Sequence, residues 1–402
     1  MKIVFITHYS EMYGANKSLI NLIEGLTFLY DIKPLVIIPY EGSIVSVLKE
    51  KNIKFVVLKF NLWSEKGQIK PINLYDFFKK KYFLWRKKKS LKSYNLEKLT
   101  VLKDELGDFD PDWIYSNSSV FDFGFLYAKK YNIKHLWHIR EFGEKDYNSF
   151  FFDKREVTKS FNASDKVVAI SNAIKDFYFK NFDIRNIVVK YNGVLSLYDL
   201  RKLDEKLAVK RVLPSSEMVF GIVGLIQKNK NQEEAIIAFK LVNDKYPKTK
   251  LLIVGQGNQE DLKKKAMELE IHSKVIFLGH LSNPFDAFLQ MDLNLMCSRN
   301  EGLGRVTIEA MAAGIPTIGF NGGGTKEIIQ ENFTGVFYEN GFKELSDKMI
   351  YFIENQKKLY EMGFNAKNVF TEKYTSEIYA SNIFNLLTDN FQSLNLDRCN
   401  NL

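Results

Sequence analysis

Short apolar runs alternate with longer amphipathic stretches along almost all of the 402 residues. The runs at 2–7, 35–39, 55–58, 113–116, 135–139, 166–170 and 187–189 are bounded by turn residues and too short for helices, so they read as buried strands. A second set follows at 219–223, 250–254, 274–277, 293–296, 317–320 and 335–337. Strands alternating with helical stretches predict parallel sheets with right-handed crossovers, an α/β class. The polar, charged passage 196–216 lies between the sets and reads as a hinge. A chain of this length exceeds one core, so two domains are expected, at 1–198 and 199–375. A further helix is predicted at 376–388, and the Asn-rich end at 391–402 is expected to fray.

One strand end carries chemistry. After the run 293–296 come Ser298, Arg299, Asn300, Glu301, Gly302, Leu303, Gly304, Arg305 and Val306, and the helix-forming stretch 306–313 follows. A strand, a glycine turn and a helix start therefore meet. Outward N–H groups and the positive end of the peptide dipoles make such a start an anion seat, suited to a diphosphate. Glu301 precedes the seat and Glu309 lies about one turn beyond it, so the pair is placed to hold hydroxyls on either side of a bound diphosphate. A sugar nucleotide has that layout. The plainer alternative makes both glutamates surface charges.

The wording Glu301-Gly302-Leu303-Gly304-Arg305-Val306, then Glu309-Ala310-Met311-Ala312-Ala313-Gly314-Ile315-Pro316, resembles the retaining glycosyltransferases of family 4, and the passages His8-Tyr9-Ser10 through Gly14-Ala15-Asn16 and His138-Ile139-Arg140-Glu141-Phe142 resemble bacterial exopolysaccharide and capsule enzymes. The resemblance implies the GT-B architecture, two Rossmann-like domains facing each other across a cleft. The first would bind acceptor and the second the donor, with the last helix, about 376–390, packing back on the first. It also implies that Glu301 contacts hydroxyls of the donor sugar and Glu309 the nucleotide ribose. The implied reaction moves a sugar from a nucleoside diphosphate donor, UDP before GDP, to a hydroxyl of a saccharide or polyprenyl-linked acceptor, with retention. No separate cofactor and no metal are expected, because side chains usually neutralise the diphosphate in this fold.

The donor half departs from the family once. Relatives place Gly-Arg after the strand that ends here at Val223, and a Lys-Gly further on; this chain has Gly224-Leu225 and then Lys228 and Lys230. Lys230 fits the family lysine, while Leu225 stands in place of the arginine. Arg305 is the best substitute, since a planar guanidinium in the glycine turn can take two phosphate oxygens. Lys228 and Arg140 are the others. Gly255-Gln256-Gly257 lacks the third glycine and the ribose acid of a dinucleotide fingerprint. Gly279 lies where relatives hold the base, and Gly322, Gly323 and Gly324 form a turn before a helix.

The first half carries weaker wording. Gly14 opens a helix after the first strand, as a plain turn or a point of close approach to phosphate or acceptor. His138 resembles the family's cleft histidine near the reacting carbon; its other reading is structural. A position at the carboxyl end of a parallel strand is where α/β ligands bind, which favours function. Arg140 and Glu141 either contact donor or acceptor or pair with each other.

Charge adds one location. The segment 66–98 holds 11 Lys or Arg against Asp76 and Glu97, a net of +9 that equals the formal charge of the whole protein. Lys79, Lys80, Lys81, Arg86, Lys87, Lys88 and Lys89 stand among aromatics that include Trp85, a mixture suited to an anionic membrane surface. Nucleic acid would feel the same field; beside the enzyme reading, the membrane is the expected partner and nucleic acid is not. The alternative is a helix that packs its aromatics on the first domain. No run of 18 apolar residues occurs, and the cysteines Cys297 and Cys399 suit neither a zinc site nor a disulfide framework. The expectation is a cytoplasmic enzyme, peripheral on the inner face of the plasma membrane. The rivals are a GT-B sugar-nucleotide epimerase and a noncatalytic basic adaptor.

Overall fold

The computed structural model describes residues 1–67, 74–211 and 217–389, with side chains described outside 74–81 and 209–211. The expected frayed tail at 391–402 and the side chains of Lys79, Lys80 and Lys81 lie outside the described residues.

Two compact units form. The first comprises Met1–Tyr191 with the stretch that starts at Ala380; the second runs over Asn192–Tyr379. In the first, a seven-stranded parallel sheet has the order Lys54–Val57, Lys33–Ile38, Lys2–Ile6, Trp113–Ser116, Lys134–Ile139, Lys166–Ala169, Ile187–Val189. In the second, six parallel strands have the order Val275–Gly279, Thr249–Val254, Met218–Val223, Leu293–Met296, Thr317–Phe320, Gly335–Tyr338. Counted along the chain, both sheets begin 3-2-1-4-5-6, the Rossmann order, with the reversal between the first and fourth strands. Each strand predicted from the apolar runs is present, with ends shifted by a residue or two.

The central strands are apolar without alternation because helices cover both sheet faces. Ile3, Val4, Phe5 and Ile6 are all fully buried, as are Leu251, Ile253, Leu293 and Leu295 in the second unit. Helix starts are fixed by side chains where the sequence supplies them: Asp153 Oδ1 accepts from the amides of Arg155 and Glu156, and Ser171 Oγ from Ile174 N at 3.1 Å. The Tyr30 ring stacks on Phe384 with centroids 3.8 Å apart, joining the final helix to the first unit.

Two features differ from expectation. The polar passage read as a hinge is mostly a helix, Leu197–Arg211, while residues 212–216 lie outside the described residues. Its charged residues masked a stripe of Leu200, Leu203 and Leu207, all buried, and Asp204 pairs with Lys367 within the second unit. The first unit also holds an antiparallel pair, Ser64–Lys66 with Ser149–Phe151. Three-residue strands without an apolar pattern leave no signal, because their pairing is a long-range event.

Candidate active site

In an open parallel sheet, ligands bind beyond the carboxyl ends of the strands where the order reverses. In the second unit that place lies beyond Val223 and Met296. From Val223 the chain passes Gly224 and Leu225 into a short 3₁₀ turn, Lys228–Lys230; from Met296 it runs to Glu301, Gly304 and the helix Arg305–Ala312. Lys230 Nζ forms an ion pair with Glu301 Oε1, the carboxylate being 13% exposed and the ammonium 29%. Arg305 Nε donates to Glu309 Oε1 at 2.8 Å, one turn along the helix. The four charges thus sit as two neutral pairs on either side of the helix start. Lys228 is exposed, and Arg305, in the glycine turn after Met296 and not in the turn that holds Leu225, spends its Nε on Glu309.

The turn itself is built by glycine. Gly304 caps the helix at φ 87°, a conformation that costs a side chain about 1 kcal/mol or more. The first helical bonds run from Thr307 N and Ile308 N to Gly304 O, at 2.9 and 3.3 Å, so the amides before them point out of the helix end. The loop after the next strand presses on this turn. Gly324 N donates to Glu301 O at 2.8 Å, and a Cβ on Gly324 would lie 2.5 Å from Gly302 O and from Leu303 Cα. That contact is why this loop is a run of glycines. Leu303 is buried beneath it, while Gly302 and Val306 are half-buried.

Two hydroxyls border the same spot. A Cβ on Gly304 would stand 3.3 Å from Thr325 Oγ1 and 3.6 Å from Thr307 Oγ1. Both hydroxyl oxygens are buried and make no hydrogen bond among the described residues. Buried polar atoms almost always have a partner, so the pair marks a place prepared for one. Behind Glu301, Glu234 accepts from Tyr338 OH at 3.2 Å and pairs with Arg299, whose guanidinium lies over the Phe320 ring. Burial raises the Glu234 pKa. The strand ends beside Gly224 close on one another: Gly255 N donates to Gly279 O at 2.7 Å, and a Cβ on Gly255 would meet Gly224 O at 1.8 Å. The weak dinucleotide-like wording at 255–257 is thus accounted for by strand packing.

The equivalent place in the first unit is made of different material. His138 is fully buried inside its strand and shares a hydrogen bond through Nδ1 with Tyr115 OH. Burial, then the Arg140 charge, holds its pKa well below the ordinary value, so the imidazole is neutral. Arg140 Nε donates to Asn117 Oδ1 at 2.6 Å. Glu141 Oε1 accepts from Ser118 Oγ, Ser119 N and Ser119 Oγ at 2.6–2.7 Å. Arg140 and Glu141 each have partners at the neighbouring strand end. A Cβ on Gly14 would meet nothing within 4 Å, so packing inside the protein does not demand glycine there. Asn16 instead fixes this loop, bonding Thr7 Oγ1 and the carbonyls of Tyr9 and Glu11. Asn117 and Thr307 were absent from the sequence-based candidates, and Thr325 entered only with the glycine turn at 321–327, read as closing over the nucleotide or as a plain helix cap. Asn117 had a signal, since it directly follows a strand beside the reversal; Thr307 had none, because its neighbour is a loop farther along the chain.

The basic segment falls on the helix Leu74–Leu106 of the first unit, and its charges divide. Lys87 pairs with Glu65, and Lys88 and Lys92 with Glu156, Lys88 also with Asp153. Trp85, Arg86 and Lys89 are exposed. No helix among the described residues is long and apolar enough to cross a membrane, and no group of three or more potential metal ligands is found among them.

Comparison with known proteins agrees with this architecture. Residues 204–369 match the family model "Glycosyl transferases group 1". N-acetyl-alpha-D-glucosaminyl L-malate synthase of Bacillus anthracis is 28% identical over 226 residues, 53% of this chain and 57% of its own length. The capsular polysaccharide biosynthesis glycosyltransferase CapM of Staphylococcus aureus is 30% identical over 183 residues, 45% and 47%. The chain therefore spans about half the length of these curated relatives. The crystal structure of Anabaena Alr3699/HepE in complex with UDP-glucose superposes with a TM-score of 0.73 at 21% identity, covering 97% of this chain and 100% of that one. The chain has the GT-B fold, and its residues 204–369 are similar to the glycosyl transferases group 1.

Proposed function

We propose that this protein transfers a sugar, with retention at the anomeric carbon, from a nucleoside diphosphate donor to a hydroxyl of a saccharide or polyprenyl-linked acceptor in cell-surface polysaccharide synthesis. The observation that carries the reading is the Lys230–Glu301 pair beside the glycine-capped helix start, at the reversal of the second sheet. A donor diphosphate settles on the outward amides, takes the Lys230 ammonium as counter-charge and gives the hydroxyls of Thr307 and Thr325 an acceptor. Glu301, released from Lys230, then accepts from hydroxyls of the donor sugar, and Glu309, oriented by Arg305, from the ribose. As the glycosidic bond to the diphosphate breaks, negative charge grows on the leaving oxygen, and fixed positive groups lower that barrier. His138, neutral and locked to Tyr115, is a positioning residue for the strand end that bears Arg140. UDP is the favoured carrier, supported by the UDP-glucose complex of HepE and by the S. aureus TarM complex with UDP.

The test incubates the purified chain with UDP-, GDP-, ADP- and CMP-sugars and lipid extract, and follows nucleotide release and new glycolipid. Acceptor-dependent release of UDP, with the α-linkage of the donor kept in the product, is expected. Sugar conversion without acceptor would replace the reading by an epimerase, and activity undiminished in Glu301→Gln would end it.

A further inference from the structure

The helix Leu74–Leu106 has two faces within the described residues. Its inner face packs Leu99 and Leu102 into the first unit and neutralises Lys87, Lys88 and Lys92 on Glu65, Asp153 and Glu156. Its outer face repeats at helical spacing: Tyr82, Trp85, Arg86, Lys89, Ser93 and Leu96 are all exposed, with Phe83 at the edge. Tyr82 is 60% exposed, Phe83 63% and Trp85 57%, an unusual place for three large rings. The rings of Tyr82 and Trp85 stack 6.1 Å apart, with the Arg86 guanidinium 6.0 Å from the first and the Lys89 ammonium 5.6 Å from the second. Rings with an apolar body and a wet edge, set beside Arg86 and Lys89, with the exposed acid of this face, Glu97, two turns beyond Lys89, match the boundary of an anionic bilayer, where aromatics enter the headgroup layer and the cations meet phosphates.

We propose that this stripe lies on the surface of an anionic lipid bilayer, through Tyr82, Phe83, Trp85, Arg86 and Lys89. Lys87, Lys88 and Lys92 take no part, because their charges are already paired with Glu65, Asp153 and Glu156. Of the seven clustered bases that the sequence offers, the structure thus assigns Arg86 and Lys89 to the lipid and withholds Lys87 and Lys88. The proposal stands apart from the transfer reaction, since its residues touch neither strand-end site.

Trp85 supplies a direct readout, as the other tryptophans, Trp63, Trp113 and Trp137, are buried. The whole chain is titrated with vesicles of phosphatidylglycerol and phosphatidylcholine, and separately with phosphatidylcholine alone. Expected are a blue shift of tryptophan emission and co-sedimentation with the anionic vesicles only, with the shift absent in Trp85→Phe. Arg86→Gln with Lys89→Gln should weaken binding about thirtyfold at low salt, while Lys87→Gln changes it by less than about threefold, its charge being paired. All these positions are at least partly exposed, and an unchanged thermal midpoint shows that each variant folds. No emission shift, equal losses in the Lys87 and the Arg86/Lys89 variants, or retention of duplex RNA through the same residues without vesicle binding would each overturn the proposal.

Discussion

The two sheets share one strand order, yet their reversal points hold opposite kinds of polarity. In the second unit, Glu301 and Glu309 are each held by a single cation, Lys230 and Arg305, and the neighbouring hydroxyls of Thr307 and Thr325 are unsatisfied among the described residues. In the first, Glu141 is buried and holds three hydrogen bonds, from Ser118 and Ser119, and His138 is locked to Tyr115. The Lys230–Glu301 pair keeps its ammonium 29% exposed and can exchange for a charged ligand, while Glu309, its side chain 5% exposed, stays oriented by Arg305. A carboxylate buried among three donors is held by the full cost of losing them. One reversal point is thus built to exchange partners and the other to stay fixed.

The sharpest way to break this comparison is to make the same change in both places. Glu301→Gln should lower turnover roughly a thousandfold, as the loss of a group acting on the reacting substrate does, with thermal stability nearly unchanged. Glu141→Gln should show the reverse, a loss of about 2–3 kcal/mol in denaturant unfolding for the charged hydrogen bonds, with activity kept in the folded fraction. Equal effects on activity would erase the distinction.

Glycine gives a second contrast. Gly255→Ala forces a Cβ onto Gly224 O and should cost about 3 kcal/mol or more. Gly14→Ala has open space and should change stability by less than about 0.5 kcal/mol; any loss of activity there reports the approach of a ligand.

Acid should act through the first unit. Burial holds His8 and His135 down to about 3, and His138 well below its usual value, so the folded chain leaves all three neutral where the unfolded chain protonates them. Their contribution is present above pH 6.5 and is lost as pH falls below it. Asp122 and Asp146, raised by burial to about 6, work the other way, since the folded form takes up their protons first. With three such imidazoles against two such carboxyls, stability should slope downward as pH falls below about 6. His135→Gln should flatten that slope in a pH series of unfolding midpoints.

The smallest effect concerns the paired hydroxyls. Thr307→Val with Thr325→Val should leave stability equal or slightly higher, since two unpartnered hydroxyls are removed, and weaken UDP about tenfold by calorimetry. Unchanged affinity would mean that the hydroxyls do not meet the diphosphate.

Every strand of the two parallel sheets was readable, because a strand buried on both faces must be a short apolar run, and Leu293–Met296 or Trp113–Ser116 needed no context. The turn from Glu301 through Gly304 to the helix at Arg305 was also local, since glycine and the residues that follow it set the chain direction within a few positions. Partners were not local. That Lys230 faces Glu301, that the glycines at 322–324 serve the turn at 301–303, and that Lys87 and Lys88 are neutralised while Arg86 and Lys89 are left to solvent depend on residues tens of positions away. The helix Leu197–Arg211 was hidden for the same reason, its three buried leucines outnumbered by charge until the second unit packed on them. Sequence alone determined the strands, the turns and the inventory of charge, which follow from backbone geometry and solvation at short range. Which charges are paired, which hydroxyls are left waiting and which aromatics stay wet was decided only when the units folded, because pairing and burial are properties of neighbours in space.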